Sequence, residues 1–467
     1  MTQERQSVGV SKKTGAVDDA WIEKLNRNAT RRSRVRRLSP VAFGAESIER
    51  YELGNGLRVF LVAAMDAPVV SFHCWFAVGS RHERKGKTGL AHLFEHLMFN
   101  ETKNLPAGTF DRKLEAVGAS TNAATWTDWT FYHEDVPADA LGLVIELEAE
   151  RIKNLVLREP QLESEKEVVA NERRYRVEDD VDGTVSEVLY KTAFVAHTYH
   201  HPTIGWMEDI EGFTTKDCRT FYEKYYAPNN ASIVIVGHIH VPEVMRLIQK
   251  NYGDVSSAKL PVEVTPLEPE QLEEREEILH KPTPTARLAI GWKSPPMSHP
   301  DHVALSLLCE AMTAGRSSRF FRALVTEGEV ATDVGASVGQ FRDEGLFELQ
   351  LTARDGVSAR ELLAAVDREV DRLLAEPITI VELERAAARL ELGFLQGLET
   401  VGGRAEQIGF YQTVLNDPAG SLTRLEALRG VDVQQLDVVA KKYLRRQRRT
   451  VVLVEPEPEV SGEEVTS

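Results

Sequence analysis

The 467-residue chain has few cysteines, no long apolar run and fewer basic than acidic side chains. Cys74, Cys218 and Cys309 are far apart and odd in number, which predicts buried free thiols and not a disulfide framework or a cysteine-based zinc site. Because no run of about 18 apolar residues occurs, no membrane-spanning helix is predicted. The formal net charge of −16, from 56 basic and 72 acidic residues, argues against nucleic acid as the main partner.

One motif with metal-ligand spacing is present, His92-Leu93-Phe94-Glu95-His96. On a helix, positions i and i+4 share a face, so the two histidines would present their imidazoles one turn apart. Such a pair suits zinc, and Glu95 could take a proton from a metal-bound water. His-x-x-Glu-His also occurs by chance, and two histidines on a helix usually hold no metal. The motif therefore requires a third ligand elsewhere in the chain.

A second segment, at 163–174, is strongly helical by composition and rich in glutamate. Glu165 and Glu172 are seven positions apart, which is two helical turns, and so lie on one face. Most glutamates of such a helix are expected on a solvated surface. Glu172, however, follows His96 by 76 positions.

With this interval the chain resembles the pitrilysin family of zinc peptidases, which includes insulin-degrading enzyme and the mitochondrial processing peptidases. The resemblance covers roughly residues 48–455. Other segments that carry it are Asn55-Gly56-Leu57-Arg58-Val59, Gly79 and Gly118-Ala119-Ser120-Thr121-Asn122-Ala123.

The resemblance implies roles for individual residues. It implies zinc as the cofactor, with His92, His96 and Glu172 as ligands and Glu95 as the general base. It further implies that Glu165 orients a ligand histidine, and that Asn122 and Ala123 lie beside the substrate backbone. From the sequence alone, 118–124 is equally well an ordinary edge strand or one that pairs with an extended peptide.

The two halves of the chain look like copies of each other. Residues 224–236 are echoed by 442–454 at an offset of 218, and 71–75 by 288–292 at an offset of 217. At the latter offset the three motif residues fall on Cys309, Met312 and Thr313. The second half is therefore predicted to lack the metal site.

These observations and the resemblance predict an α+β protein of two homologous domains. Each would be a mainly antiparallel sheet covered by helices, and the two would face each other across a chamber. The predicted divisions are a basic polar arm at 1–46, a metal-bearing domain at 47–254, a proline-rich linker at 255–272, a second domain at 273–456 and an acidic tail at 457–467.

The predicted arm contains a basic run at 31–37. This run is expected to be solvated, with an acidic binding surface as the alternative. No apolar segment typical of a secretory signal follows the first charges, so the cytoplasm is the expected location.

Hydrophobic periodicity and composition predict the positions of the strands and helices. In the first half, strands are predicted at 57–62, 68–78, 119–124, 126–136 and 231–237, and helices at 87–99, 138–154, 161–177 and 214–226. In the second half, strands are predicted at 276–280, 286–292, 331–352 (a pair) and 450–455, with helices at 300–326 and 357–445.

The remaining histidines are weaker candidates for a function. His197, His200 and His201 form either a second metal cluster or, more simply, part of a loop before Pro202. His238 and His240 end a predicted strand and are expected to be surface or packing residues.

One departure from the family bears on function. Members that act alone carry an arginine in the second half and a tyrosine seven residues later, which contact the substrate near the zinc; the matching positions here are Val325 and Thr332. The sequence thus predicts a zinc endopeptidase that hydrolyses peptides or unfolded segments in a closed chamber. It would need a related partner subunit that lacks the zinc motif and supplies that pair. The alternative is a non-catalytic assembly or peptide-binding subunit that resembles respiratory-complex core proteins, which the missing pair favours and the intact metal set opposes.

Overall fold

The computed structural model describes residues 19–457 and contains one mixed β-sheet in each half. The first sheet is built from β1 (Val35–Phe43), β2 (Glu46–Leu53), β3 (Arg58–Ala63), β4 (Val69–Phe76), β5 (Ser120–Thr125), β6 (Thr130–Pro137) and β7 (Ala231–Gly237). The second is built from β8 (Arg275–Lys281), β9 (Arg287–Ser294), β10 (Ala331–Val338), β11 (Gly345–Ala353) and β12 (Arg449–Pro456).

The order of the strands confirms that the two halves are related. The first sheet runs β1-β2-β3-β7-β4-β6-β5, and the second runs β8-β12-β9-β11-β10, which repeats the last five positions of the first. The one parallel pairing of each sheet lies at the matching place, β3 with β7 and β8 with β12. All other pairings are antiparallel. The predicted α+β architecture of two homologous domains is therefore confirmed.

Helices surround both sheets. Those of the first half are α1 (Ala20–Asn26), α2 (Leu90–Leu97), α3 (Thr109–Glu115), α4 (Leu141–Asn154), α5 (Glu159–Arg173), α6 (Val181–Ala193), α7 (Met207–Glu211), α8 (Thr215–Tyr225) and α9 (Val241–Tyr252). Those of the second half are α10 (Pro300–Thr313), α11 (Ala359–Ala375), α12 (Ile380–Gly397), α13 (Val401–Leu415), α14 (Gly420–Arg429) and α15 (Val433–Tyr443). Within residues 19–457, none of the helices has both the length and the apolar content that crossing a membrane requires.

Both faces of the first sheet are buried, and alternate residues of its central strands face different cores. On β4, Phe72 and Phe76 belong to the core of the first half, whereas Trp75 faces the opposite side. There it packs with Ala405 and Ile408 of α13, a helix of the second half. Because side chains alternate along a strand, this apolar run supplies both cores.

The second sheet receives a helix from the first half in return. Val185 and Leu189 of α6 pack against Ala289 of β9 and against Val452 and Val454 of β12. A helix of each half thus covers one face of the other half's sheet. This exchange fixes the position of the two halves relative to each other.

The sequence predicted a basic polar arm at 1–46, but the described part of this segment contains a helix and a strand. Residues 1–18 lie outside the described part, but α1 and β1 follow from Ala20 onward. Arg36 and Arg37 of the basic run lie on β1 and pair with Glu52 and Glu49 of β2, the second at 2.6 Å. Cross-strand pairs of opposite charge stabilise such a ribbon, which a local count of basic residues does not reveal.

The sequence also predicted a linker, an acidic tail and the state of the three cysteines. The predicted linker at 255–272 contains neither helix nor strand. The predicted acidic tail lies outside the described residues from 458 onward. Cys74, Cys218 and Cys309 are buried and unpaired, as predicted.

Candidate metal centre

The helix that carries the motif, α2, begins at a tightly fixed point. Gly89 precedes it with φ 89°, and a Cβ at this position would lie 2.3 Å from the carbonyl oxygen of Ile204. The buried carboxylate of Glu83 accepts hydrogen bonds from the backbone N–H groups of Gly89 at 2.8 Å and Ala91 at 2.7 Å. An anion at this end of a helix satisfies free N–H groups and complements the helix dipole.

Glu83 is itself held by a histidine. His201 Nε2 donates to the carbonyl oxygen of Ser80 at 3.0 Å and to Glu83 Oε2 at 3.1 Å. The neighbouring N–H groups and imidazole offset the cost of burying this carboxylate.

Helix α5 brings the third candidate ligand to the two histidines. Glu172 Oε2 lies 3.6 Å from His92 Nε2 and 3.4 Å from His96 Nε2. All three ligand atoms lie within 4.8 Å of one another, and no other group of three such side chains occurs in the described part of the chain. The sequence prediction named these same three residues.

The arrangement fits a zinc ion in spacing and in chemistry. Zinc bonds of about 2.0–2.1 Å place the ligand atoms of a tetrahedral site about 3.4 Å apart, which is close to the two separations at Glu172. Two imidazoles and one carboxylate leave a fourth position open, as in catalytic zinc sites.

Glu165 lies behind one of the candidate ligands. Its Oε2 atom is 3.7 Å from His96 Nδ1, and its Oε1 atom accepts a hydrogen bond from Asn100 Nδ2 at 3.0 Å. Carboxylates in this position fix the orientation of a ligand imidazole and raise its basicity. This is the position that the sequence analysis predicted for Glu165.

Electrostatic interactions differ between the two histidines. Burial and the neighbouring His96 lower the pKa of His92, whereas for His96 the carboxylates of Glu165 and Glu172 outweigh burial and raise its pKa. The hydrogen bond with His96 lowers the pKa of Glu172. Burial raises the pKa of Glu95, because a buried carboxylate is less stable in its charged form.

A cavity of about 620 Å³ opens onto this cluster. His92, Glu95 and Glu172 line one part of it, and residues 122–125 of β5 line another. Because β5 is the last strand of its sheet, its outer backbone edge has no strand partner within residues 19–457. Asn122 and Ala123, predicted beside the substrate backbone, are therefore at the cavity and on a strand edge.

The second half contains no comparable centre among its described residues. Cys309, Met312 and Thr313 lie on α10 and are buried, and the Thr313 hydroxyl donates to the carbonyl oxygen of Cys309 at 3.1 Å. Val325 packs against the core of the second half, and the exposed Thr332 hydroxyl donates weakly to the carbonyl oxygen of Thr352 at 3.4 Å. Neither of these last two residues lines the cavity.

The other histidines that were candidates for a function contact different partners. His197 Nε2 lies 3.2 Å from Asp343, His200 Nδ1 lies 3.1 Å from the carbonyl oxygen of Phe194, and His201 holds Glu83. These three therefore form no metal cluster, and they lie on and beside a short 3-10 helix, Thr198–His200, where the sequence had predicted a loop. His238 and His240 are exposed, as expected.

Sequence reasoning missed several residues around the site. It did not single out Glu83 or Asn100, nor the cavity residues Tyr190 and Glu348. The short spacing from Glu83 to the motif helix could have indicated a cap for its N-terminus. No local signal could have placed Glu348, which comes from the other half of the chain.

Comparisons with known proteins agree with this site. Residues 58–205 match the family model described as insulinase (peptidase family M16), and 212–390 match that of the peptidase M16 inactive domain. The zinc protease PqqE of Helicobacter pylori is 32% identical over 412 residues, which cover 87% of this chain and 93% of that protein. The chain belongs to peptidase family M16. The resemblance to the pitrilysin peptidases is thereby confirmed.

Solved structures of M16 proteins match the fold. The crystal structure of a protease from Helicobacter pylori superposes with a TM-score of 0.83 at 32% identity, covering 88% of this chain and 99% of that one. A putative M16-like peptidase from Alicyclobacillus acidocaldarius gives 0.78 at 20% identity, covering 89% of this chain and 100% of that one, and shows the fold alone.

Proposed function

We propose that this M16 protein is a zinc-dependent endopeptidase that hydrolyses peptides or unfolded segments in the cavity between its halves. The observation that carries the proposal is the convergence of His92, His96 and Glu172 beside Glu95 at one cavity. The name of the Helicobacter pylori relative, a zinc protease, supports the same metal and reaction.

In this mechanism each group of the chain has a distinct task. His92, His96 and Glu172 would hold zinc, which would supply Lewis acidity when bound. The Glu95 carboxylate accepts the proton of the attacking water and returns it to the leaving amine.

The edge strand would hold the substrate in place. An extended peptide can add to β5 as a further strand, through backbone hydrogen bonds near Asn122 and Ala123. Such pairing fixes the scissile bond in one register and is independent of most side chains of the substrate.

We further propose that a related partner subunit, without the zinc motif, completes the active site. Val325 and Thr332 lie where an arginine and a tyrosine are expected, carry no comparable donors and lie away from the cavity. Donors preorganised around a developing oxyanion contribute about 10²–10³ in rate each. Alone, the chain is expected to bind zinc and to cleave peptides poorly.

The same observation favours the second candidate function, a non-catalytic assembly or peptide-binding subunit. In addition, residues 212–390 of the chain match the family model described as the peptidase M16 inactive domain. The three convergent ligands at an open position argue against this candidate, since an assembly subunit has no use for them.

Zinc content and cleavage test these proposals together. The wild-type protein should contain about one zinc per chain, and His96→Ala should lose it. Glu95→Gln should retain zinc and lose at least about 10²-fold in cleavage rate, whereas exposed Glu163→Gln on α5 should change neither. Normal cleavage by a zinc-loaded Glu95→Gln protein contradicts the assignment of the base.

Co-purification from the native cell tests the requirement for a partner. Adding the partner should restore cleavage, and changing its arginine or tyrosine should abolish the gain. Full activity of the homogeneous chain contradicts the requirement. Zinc binding without cleavage in every co-purified complex supports the non-catalytic function instead.

A further inference from the structure

The second half contributes a carboxylate to the substrate cavity. Glu348 of β11 lines the cavity together with Tyr190 of α6 and Phe341. The Tyr190 hydroxyl donates to Glu348 Oε1 at 2.6 Å, and Gln350 Nε2 donates to Glu348 Oε2 at 3.4 Å. Both donors are neutral, so they hold the carboxylate in one position without balancing its charge.

The other carboxylates of the cavity have charged partners or a proposed task. Glu187 pairs with Arg173 at 2.8 Å, Glu172 pairs with Arg176 at 3.1 Å, and Glu95 is the proposed base. By contrast, the partners of Glu348 in the part of the chain that the structure describes are the neutral Tyr190 and Gln350, and no lysine or arginine is among them. Burial raises the pKa of this carboxyl. A buried charge without a counterion is unfavourable, and a bound cation would offset that cost.

The walls beside Glu348 are aromatic. The rings of Tyr190 and Phe341 lie with their centroids 6.0 Å apart, and Tyr199 stands 4.8 Å from Phe341 on the same wall. The faces of such rings attract cations, and apolar walls accommodate the methylene stem of a long basic side chain. The carboxylate and the rings together therefore favour a cationic ligand group.

We propose that Glu348, Tyr190 and Phe341 form a subsite that binds a cationic group of the substrate, either a basic side chain or a free α-amino group. The inference rests on the proposed peptidase function, since it requires a peptide in this cavity. It adds a substrate preference: peptides with a positive charge that reaches this wall bind more tightly than their neutral counterparts.

Binding of four matched peptides tests the subsite. The peptides share one sequence, carry either arginine or its neutral analogue citrulline at one scanned position, and have a free or an acetylated N-terminus. Their affinities are measured on the zinc-loaded full chain that carries Glu95→Gln, with its partner subunit where one co-purifies. We expect the preferred cationic peptide to bind about tenfold tighter than its neutral match, as for a charge-assisted hydrogen bond.

Two further variants assign the preference to the carboxylate. Glu348→Gln keeps the shape and an acceptor for the Tyr190 hydroxyl, and should reduce the preference to within about twofold. Glu384→Gln removes the same charge from an exposed position on α12 and should leave the preference intact. A difference between arginine and citrulline identifies a side chain as the ligand, whereas sensitivity to acetylation identifies the α-amino group.

The outcomes separate this inference from the proposed function. Equal affinities for all four peptides, no binding of any of them, or a preference that survives Glu348→Gln would each overturn the subsite. None of these results alters zinc content or the zinc dependence of cleavage, which His96→Ala tests separately. Cleavage that persists in zinc-free protein removes the proposed function and leaves a measured preference at Glu348 standing.

Discussion

Gly409 of α13 lies directly against the indole ring of Trp75 on β4. A methyl group added at Gly409 would lie 2.0 Å from Trp75 Nε1, closer than any real contact between such atoms. Trp75 cannot retreat easily, since it is 1% exposed and stacks on Phe131 with ring centroids 4.2 Å apart. This glycine lets a helix of the second half approach the sheet of the first.

Gly409→Ala is therefore expected to destabilise the protein, although alanine is the better helix former. Overpacking of this kind costs about 1–3 kcal/mol in the free energy of unfolding, which urea denaturation measures. Gly393→Ala on α12 is the matched control, because nothing lies within 4 Å of its added methyl group. That variant should be more stable than wild type by up to about 1 kcal/mol. Equal stability of the two variants would contradict the tight contact.

Elements with strong local patterns could be predicted from the sequence. The strand predicted at 231–237 is β7, whose residues are all buried, and the motif helix predicted at 87–99 contains α2. Glu165 and Glu172 fall on one face of α5 because the helical period alone puts them there. That Glu165 and Glu172 lie close to the two histidines in space is implied by the resemblance and by no local rule.

Contacts between distant segments could not be predicted in this way. Glu83 meets His201 across 118 positions, and Tyr190 meets Glu348 across 158. The basic run at 31–37 is largely solvated, as expected, but its pairing with Glu49 and Glu52 on the next strand has no local signal. Such pairs depend on how the chain crosses between sheets, which periodicity does not encode.

Removing the carboxylate that holds the start of α2 should weaken the candidate metal centre. Glu83→Ala leaves the N–H groups of Gly89 and Ala91 and the His201 imidazole without their acceptor. Buried groups left unpaired cost about 1–3 kcal/mol in the free energy of unfolding. Lower thermal stability and lower zinc affinity, measured by competition with a chelator, are expected together. Exposed Glu208→Ala should affect neither, and unchanged zinc affinity in Glu83→Ala would show that the cap does not position the ligands.

Glu165 is expected to act through His96 and not through the substrate. Glu165→Ala should lower zinc affinity about 10–100-fold, the usual effect of losing a carboxylate behind a ligand histidine. Once the site is saturated with zinc, cleavage should recover most of its rate. Glu163→Ala, two residues away on the exposed side of α5, provides the control. A Glu165→Ala protein that stays inactive at full zinc occupancy would point to a direct role in catalysis.

Stability in acid should depend on Glu263, which joins the two halves through the linker. Its carboxylate lies 3.3 Å from His82 Nε2 of the first half and 3.1 Å from Arg342 Nη1 of the second. The hydrogen bond with His82, followed by the charges of Arg342 and Arg81, lowers the pKa of Glu263 to about 2. Since the unfolded chain binds this proton near its ordinary pKa of about 4.3, the folded state gains stability above that pH.

That contribution should be fully present near neutral pH and decline as the pH falls from about 4.3 toward 2. Glu263→Gln cannot ionise, so its melting temperature should be lower than that of wild type at pH 6.5, and the difference should shrink by pH 3.5. Because the carboxylate is partly exposed, solvent reduces the size of the effect but not its sign. Glu384→Gln on α12 controls for the loss of one charge and should show no such narrowing. A difference that stays constant or widens in acid would mean that Glu263 stabilises the junction through shape and hydrogen bonding alone.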